Sequence, residues 1–321
     1  MKKSLLALAV LAASGAAMAQ SSVTLYGVAD AGVTYVNGDK NWSGVTSGNN
    51  LTSRIGFRGV EDLGGGLKAN FRLEAGLNLD NGDGNSGYST SNAANGLAFK
   101  RQSTVGLEGG FGEVRLGREL TAAYNATARY DVFGSVGIGQ SRLWANGDIA
   151  EDNLVGYAGA KTTNQRVSNA VTYVSPNFSG FKAAVNYGFG EVAGANSDRQ
   201  YLGLGATYDN GPISLGLGLE RLNKDDATAS GKISVWSLGG SYDLGVAKLV
   251  AGYRDSKAER VGGDDKTKGY MLAVTAPVGP GLVRAAYNRY EFTAVNADKL
   301  KADQFGLGYV YNMSKRTSLY G

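Results

Sequence analysis

Apolar and polar residues alternate with period two along most of this chain. In VTLYGVADAGVTY, Val23, Leu25, Gly27, Ala29, Ala31, Val33 and Tyr35 share one face, and Thr24, Tyr26, Val28, Asp30, Gly32 and Thr34 share the other. Such alternation marks a β-strand with one apolar face. The run is longer than the usual globular strand of about 5–6 residues and suits a tilted membrane crossing of ~9–11 residues.

The pattern recurs. SRIGFRG sets Ile55 and Phe57 against Arg54 and Arg58, and LKANFRLEAGL sets Leu67, Ala69, Phe71 and Leu73 against Lys68, Asn70, Arg72 and Glu74. FKAAVNYGF, ISLGLGLE, WSLGGSY, AKLVAGYR and QFGLGYVY continue it, with glycines and small polar residues filling much of the second face. Arg101 and Arg118 fall on the apolar phase, so a rim position or a bulge is expected there. Starting at Val23, the alternation predicts fourteen whole strands and a fifteenth beginning at Arg316.

The connections alternate in length. Tight turns read EDLGGG, EGGFGE, SPNFSG, YDNGP, YDLG, PVGPG and NMSK; longer polar stretches such as NKDDATASG and DSKAERVGGDDKTK lie between them. Turn residues at this regular spacing indicate an antiparallel meander. Short turns at one end and long loops at the other are the arrangement of a membrane β-barrel. The longest connection runs from about Thr121 to Gln165, and irregular stretches of that length are usually functional. Aromatics near strand ends, including Tyr35, Tyr187, Phe189, Tyr208, Tyr242, Tyr253 and Tyr311, fit a girdle at the headgroups.

Composition narrows the function. Lys2 and Lys3, an apolar run from Leu5 to Ala13 and the small-x-small site Ala17-Met18-Ala19 before Gln20 read as a secretory signal peptide over 1–19 with cleavage between Ala19 and Gln20. Without those two lysines the formal charge falls from +4 to +2, which gives no reason to expect nucleic acid as partner. There are 0 Cys and 0 His, so disulfides, His-ligated metal and Ser-His-Asp catalysis have no residues to use. The expectation is a non-enzyme without cofactor. The glycine triplet Gly64–Gly66 reads as a turn rather than a phosphate cradle, because no helical pattern follows it.

Several blocks resemble the general porins of Gram-negative bacteria, most closely the β-proteobacterial (Bordetella, Burkholderia and Neisseria type) branch. They are SSVTLYGVADAGV, RIGFRGVEDLGGGLKANFRLE, GLEGGFGEVRLGRE, VTYVSPNFSGFKAAVNYGFGE and YNMSKRTSLYG, in family order across residues 20–321. The resemblance implies an all-β, sixteen-stranded transmembrane antiparallel barrel, three barrels per assembly, and the third long loop folded inward. It also implies a basic wall facing an acidic loop. The alternation agrees: a barrel of about sixteen strands leaves an aqueous channel, with the polar face toward the lumen.

The residues expected at the constriction follow. On the lumen phase of neighbouring strands lie Arg54, Arg58, Lys68, Arg72 and Arg115, with Glu74 and Glu113 among them. The long loop carries Arg129, Asp131, Arg142, Asp148, Glu151 and Asp152. A general diffusion pore with mild anion preference is the reading; a substrate-selective channel on the same fold is the alternative. Outer-membrane lipid and lipopolysaccharide, the barrel-insertion machinery, and small hydrophilic solutes and ions are the expected partners.

The chain closes on TSLYG. Alternation places Thr317, Leu319 and Gly321 toward lipid and Tyr320 toward the lumen. The expectation is that the barrel continues past Gly321 for roughly 30–60 residues, at ~10 per strand plus loops.

Overall fold

The computed structural model describes residues 22–84, 96–144, 162–163, 165–190, 200–226, 229–260, 262–295 and 298–321. Ala19, Gln20, Asp148, Glu151 and Asp152 lie outside the described residues. β1 (Ser22–Val28) begins the main sheet, while β2 (Ala31–Val36) and β3 (Trp42–Ser47) pair as a separate hairpin. The sheet continues through β4 (Arg54–Gly64), β5 (Leu67–Gly76), β6 (Gln102–Gly109) and β7 (Gly112–Leu120). After the long loop come β9 (Arg166–Val174), β10 (Phe181–Gly188), β11 (Tyr201–Asn210), β12 (Ile213–Asp226), β13 (Ala229–Asp243) and β14 (Lys248–Arg260), the short β8 (Thr162–Thr163) pairing beside β9. Then follow β15 (Gly263–Val278), β16 (Gly281–Thr293), β17 (Leu300–Asn312) and β18 (Ser318–Tyr320).

Fifteen strands, β1, β4–β7 and β9–β18, thus follow one antiparallel path, each pairing with its neighbour along it. The sheet curls into a barrel wall; no ladder pairs β18 with β1 among the described residues, and the Tyr320 hydroxyl donates to Asp30 Oδ1, just after β1, at 2.7 Å. Tyr320 therefore lies on the phase the alternation assigns it.

Burial is inverted relative to a water-soluble sheet. Along β15, Met271 is 1 % exposed and its neighbour Leu272 63 %. The outward row includes Leu25, Leu107, Leu116, Leu215, Leu238, Leu272, Phe305 and Leu319, all exposed. A continuous apolar exterior around a polar interior is stable only against hydrocarbon. Between neighbouring strands of the sheet, the hydrogen-bond ladder satisfies the backbone where no water is available.

Two sequence expectations need adjusting, and a third, the bulge at Arg118, holds. The first strand is interrupted at Ala29–Asp30, because the Asp30 carboxylate turns in to accept backbone N–H groups from Asn49, Asn50 and Leu51. Arg118 lies within the register shift between Gly117 and Glu119, while Arg101 precedes β6 and turns back onto Glu74. The stretches NKDDATASG and DSKAERVGGDDKTK are largely strand rather than loop: β12 to β15 are 13–16 residues long and run past the apolar belt. Their outward charges pair across the ladder, Lys257 with Asp264 at 3.1 Å and Lys268 with Asp255 at 3.7 Å. Opposite charges facing each other across strands stabilise such extensions. Just below, Trp236, Tyr253 and Tyr270 stack with centroids 4.7 and 5.2 Å apart, and so form the aromatic rim of the belt.

The inside-out arrangement makes a direct prediction on β13. Leu238→Arg places a charge in hydrocarbon and lowers folding stability in lipid vesicles by ~2–4 kcal/mol. Ser241→Arg, three residues on and facing the lumen, changes it little. Reversible denaturant unfolding in vesicles compares the two.

Candidate functional site

The long connection after β7 does not lie over the rim; its described part, residues 121–144, folds against the inner wall. Its first turn is the short helix α1 (Ala122–Thr127), followed by a 3₁₀ turn over Ala128–Tyr130. The local sequence explains the helix. Ala is the best helix former, and Thr121 caps the N-terminus by accepting the Tyr124 N–H at 3.1 Å. The same Thr121 hydroxyl, fully buried, donates to Glu220 Oε1 at 3.2 Å, and the Tyr201 hydroxyl donates to that oxygen at 2.7 Å. The Ala122 N–H is taken by the Asn186 side-chain oxygen. The loop is therefore pinned at its root to β10, β11 and β12.

Beyond the root, the loop sits on glycine. A Cβ at Gly205 would strike the Ala122 carbonyl, one at Gly216 the Ala126 carbonyl, and one at Gly218 would stand 3.0 Å from both the Cβ and the carbonyl oxygen of Ala123. Gly239 receives the Tyr130 ring, Gly252 receives Trp144, and Gly269 receives Leu143. Farther round, Gly306 and Gly308 receive Phe133, over which the Arg284 guanidinium stacks at 4.8 Å. The inward glycines suggest a wall lined by water; from β11 to β17 they are instead the seat of a packed chain. A small cluster of Ala128, Tyr130, Leu143, Trp144, Val250, Met271 and Tyr290 gives this interior its apolar core.

The loop's charged residues separate into different roles. Arg129 makes a two-pronged pair with Asp209, at 2.8 and 3.0 Å, next to the short-turn rim. Asp131 is 6 % exposed and accepts the backbone N–H groups of Phe133, Ser135 and Ser141 at 2.8–3.0 Å. It organises the loop internally and does not face the channel. Burial pushes its carboxyl above the ordinary value, against those three N–H groups, which favour the charged form. Arg142 is exposed, with its backbone N–H on the Tyr290 hydroxyl. The described part of the loop thus presents arginines rather than the acidic face the resemblance implies.

Across the lumen, β1 and β4–β6 gather a basic cluster. Glu74 stands at its centre, 2.8 Å from Arg101, 3.5 Å from Arg72 and 3.9 Å from Arg54. The Tyr26 hydroxyl donates to Glu74 at 2.9 Å and accepts from Arg72 at 2.8 Å. Arg58 and Arg72 lie 5.7 and 5.3 Å from the Tyr26 ring centre, within cation–π range. Three guanidiniums therefore share one carboxylate, and Arg58 stands beside them over the Tyr26 ring. Arg115 differs: it is held by Glu113 at 2.6 Å and Glu119 at 2.7 Å, so its charge is compensated. Lys68 faces Glu108 and Asp62 across the ladder. Arg101, Thr121, Asn186, Glu220 and Tyr26 are the residues the alternation alone does not single out. The phase of Arg101 is lost in the irregular residues before Gln102, and a buried partner gives no periodic signal.

Comparison with known proteins places this geometry. The profile of the Gram-negative porin family matches residues 5–321. Outer membrane porin protein 32 of Delftia acidovorans is 47 % identical over 100 % of this chain and 88 % of its own length. Major outer membrane protein P.IB of Neisseria gonorrhoeae is 32 % identical over 99 % of this chain and 91 % of its own length. Among solved structures, an anion-selective porin from Comamonas acidovorans superposes with TM-score 0.79 and 42 % identity, covering 94 % of this chain and 87 % of that one.

The glycine seat is testable at one position. Gly239→Leu fills the space of the Tyr130 ring; overpacking of this kind costs about 1–3 kcal/mol and displaces the loop. Unitary conductance in planar bilayers changes. Gly240→Ala, on the outward face of the same strand, leaves it as it was.

Proposed function

The chain belongs to the Gram-negative porin family and is an outer-membrane diffusion porin, and we propose that its solutes pass between the loop seated on β11–β17 and the arginine cluster of β1 and β4–β6. A water-filled path spares small polar solutes the cost of shedding hydration in hydrocarbon. The narrowest section filters by size, and the side chains around it filter by charge. In this reading Arg54, Arg58, Arg72 and Glu74 line that section with Arg142 opposite. Lys68 and Arg115 line the wall with compensated charge. Arg129 and Asp131 hold the loop in place.

The observation that carries a mild anion preference is the ratio at the cluster: Arg54, Arg58, Arg72 and Arg101 around the single carboxylate of Glu74. Glu74 offsets one of four positive charges, and low-dielectric walls focus the remainder into the lumen. The relative from Comamonas acidovorans described as anion-selective supports the same sign. The barrel assembles as a homotrimer in contact with outer-membrane lipid and lipopolysaccharide, after export on the 1–19 signal peptide and insertion by the barrel-insertion machinery. The trimer, the lipid contacts and the insertion machinery rest on the family, and the signal peptide on the pattern of residues 1–19.

Reversal potential in a salt gradient tests the preference. The wild-type channel gives the sign of anion permeation, and Arg58→Glu with Arg72→Glu lowers the anion-to-cation permeability ratio by about fivefold at moderate salt. Cation preference in the wild type would contradict the reading. Flux linear in solute concentration fits general diffusion; saturation at low concentration would favour the substrate-selective channel.

A further inference from the structure

The stretch 134–137, the tip of the described part of the infolded loop, meets a turn that neither the basic wall nor the glycine seat includes. This is the 48–53 segment between β3 and β4. A Cβ at Gly137 would strike the carbonyl of Asn49, and one at Gly134 would touch that of Asn50 at 3.4 Å. Both glycines have positive φ, +70° and +71°, a conformation in which a side chain is strained. The tip of the loop is therefore shaped to bring two backbones together without side chains between them.

What holds the 48–53 turn in that place is Asp30. Its Oδ1 accepts the Asn49 N–H at 2.9 Å, and its Oδ2 accepts those of Leu51 at 2.8 Å and Asn50 at 3.2 Å. Three successive N–H groups on one carboxylate make an anion nest, here filled by the protein itself. The main chain of Asp30 joins in. Its N–H donates to Ser53 Oγ at 3.0 Å, and its carbonyl accepts the Ser53 hydroxyl at 2.8 Å and the Gly48 N–H at 2.8 Å. The Tyr320 hydroxyl completes the set on Oδ1 at 2.7 Å. Asp30 is 8 % exposed, so it is not offered to solutes. One buried residue thus links the end of β1, β18 and the turn on which the loop tip rests.

We propose that Asp30 is a positioning residue for the constriction: it fixes the stop against which the loop tip lies, and so sets the cross-section of the channel. The proposal rests on the reading that the loop is the constriction. Charge-assisted hydrogen bonds to backbone N–H groups are stronger than neutral ones, and a buried N–H left without a partner is costly. Asp30→Asn removes the charge and turns an NH₂ toward donors. The turn then loses its fixed place, and the tip loses its stop.

The experiment compares full-length variants for unitary conductance, open-channel current noise and the size cut-off for neutral sugars in liposome swelling, with thermal stability measured beside them. Asp30→Asn raises the noise and shifts the cut-off. Gly137→Ala does the same from the loop side without touching the strand, which covers the case in which Asp30→Asn does not fold. Tyr130→Ala frees the loop from its opposite seat and serves as the reference. If Tyr130→Ala alters the pore while folded Asp30→Asn and Gly137→Ala keep wild-type noise and cut-off at lowered stability, Asp30 has only a structural role and the proposal fails. If none of the three alters the pore, the loop is not the constriction and the underlying reading fails with it.

Discussion

The structure depends on close approach between a loop and a wall without side chains. A barrel of this size needs its interior narrowed, yet its inner face must not close into a packed core. The chain meets both demands by keeping Gly205, Gly216, Gly218, Gly239, Gly252 and Gly269 inward along β11–β15 and laying residues 121–144 directly on them. Glycine in a strand interior weakens the strand, and it is retained here because another backbone has to pass. Outside the same strands, Leu215, Leu238 and Leu272 meet hydrocarbon. One alternation serves lipid with its odd positions and the loop with its even ones, or the reverse, strand by strand.

That arrangement divides the lumen into two unlike walls. The side under the loop is occupied by Ala122, Ala126, Tyr130, Phe133 and Trp144, and its charges are satisfied locally, as Arg129 is by Asp209. The other side keeps its guanidiniums partly free: the Arg72 side chain is 44 % exposed while sharing Glu74 with two more arginines. The buried Arg101–Glu74 pair holds the cluster together, while Arg72 reaches out of it toward the lumen. The cluster's consequence is a standing positive field beside the path, produced by unequal numbers of charges rather than by any single residue. The loop's one well-buried described carboxylate, Asp131, is spent on three backbone N–H groups and adds no negative wall opposite.

Much of this is legible in the sequence, and the parts that are not share a cause. Leu215, Leu217 and Leu219 against Ser214, Gly216 and Gly218 declare a strand and its two faces, because lipid on one side imposes a strict period. The same period cannot say what covers an inward glycine, since water and a peptide backbone are equally content with a missing Cβ. Asp30 sits on the inward phase like any lumen residue, and only its partners at 49–51 and 320, distant in sequence, show that it is buried. The hairpins of β12–β15 hide for a different reason. Above the membrane both faces are polar, so Lys257 and Asp264 pair across a ladder that carries no apolar signal. Arg101 is displaced from its expected face by irregular backbone, which alternation cannot follow.

The central claim is that the loop lies in the conducting path, and the absence of native cysteine permits a direct test. Ile138 stands on the loop with its side chain 76 % exposed, while the carbonyl of the same residue is held by Gln304. In a planar bilayer, the Ile138→Cys channel is treated with a bulky, charged, water-borne thiol reagent while current is recorded. The account predicts a stepwise fall in current as each pore is modified, larger for anions when the reagent is negative. Full modification with unchanged current would place the loop outside the path and contradict the account.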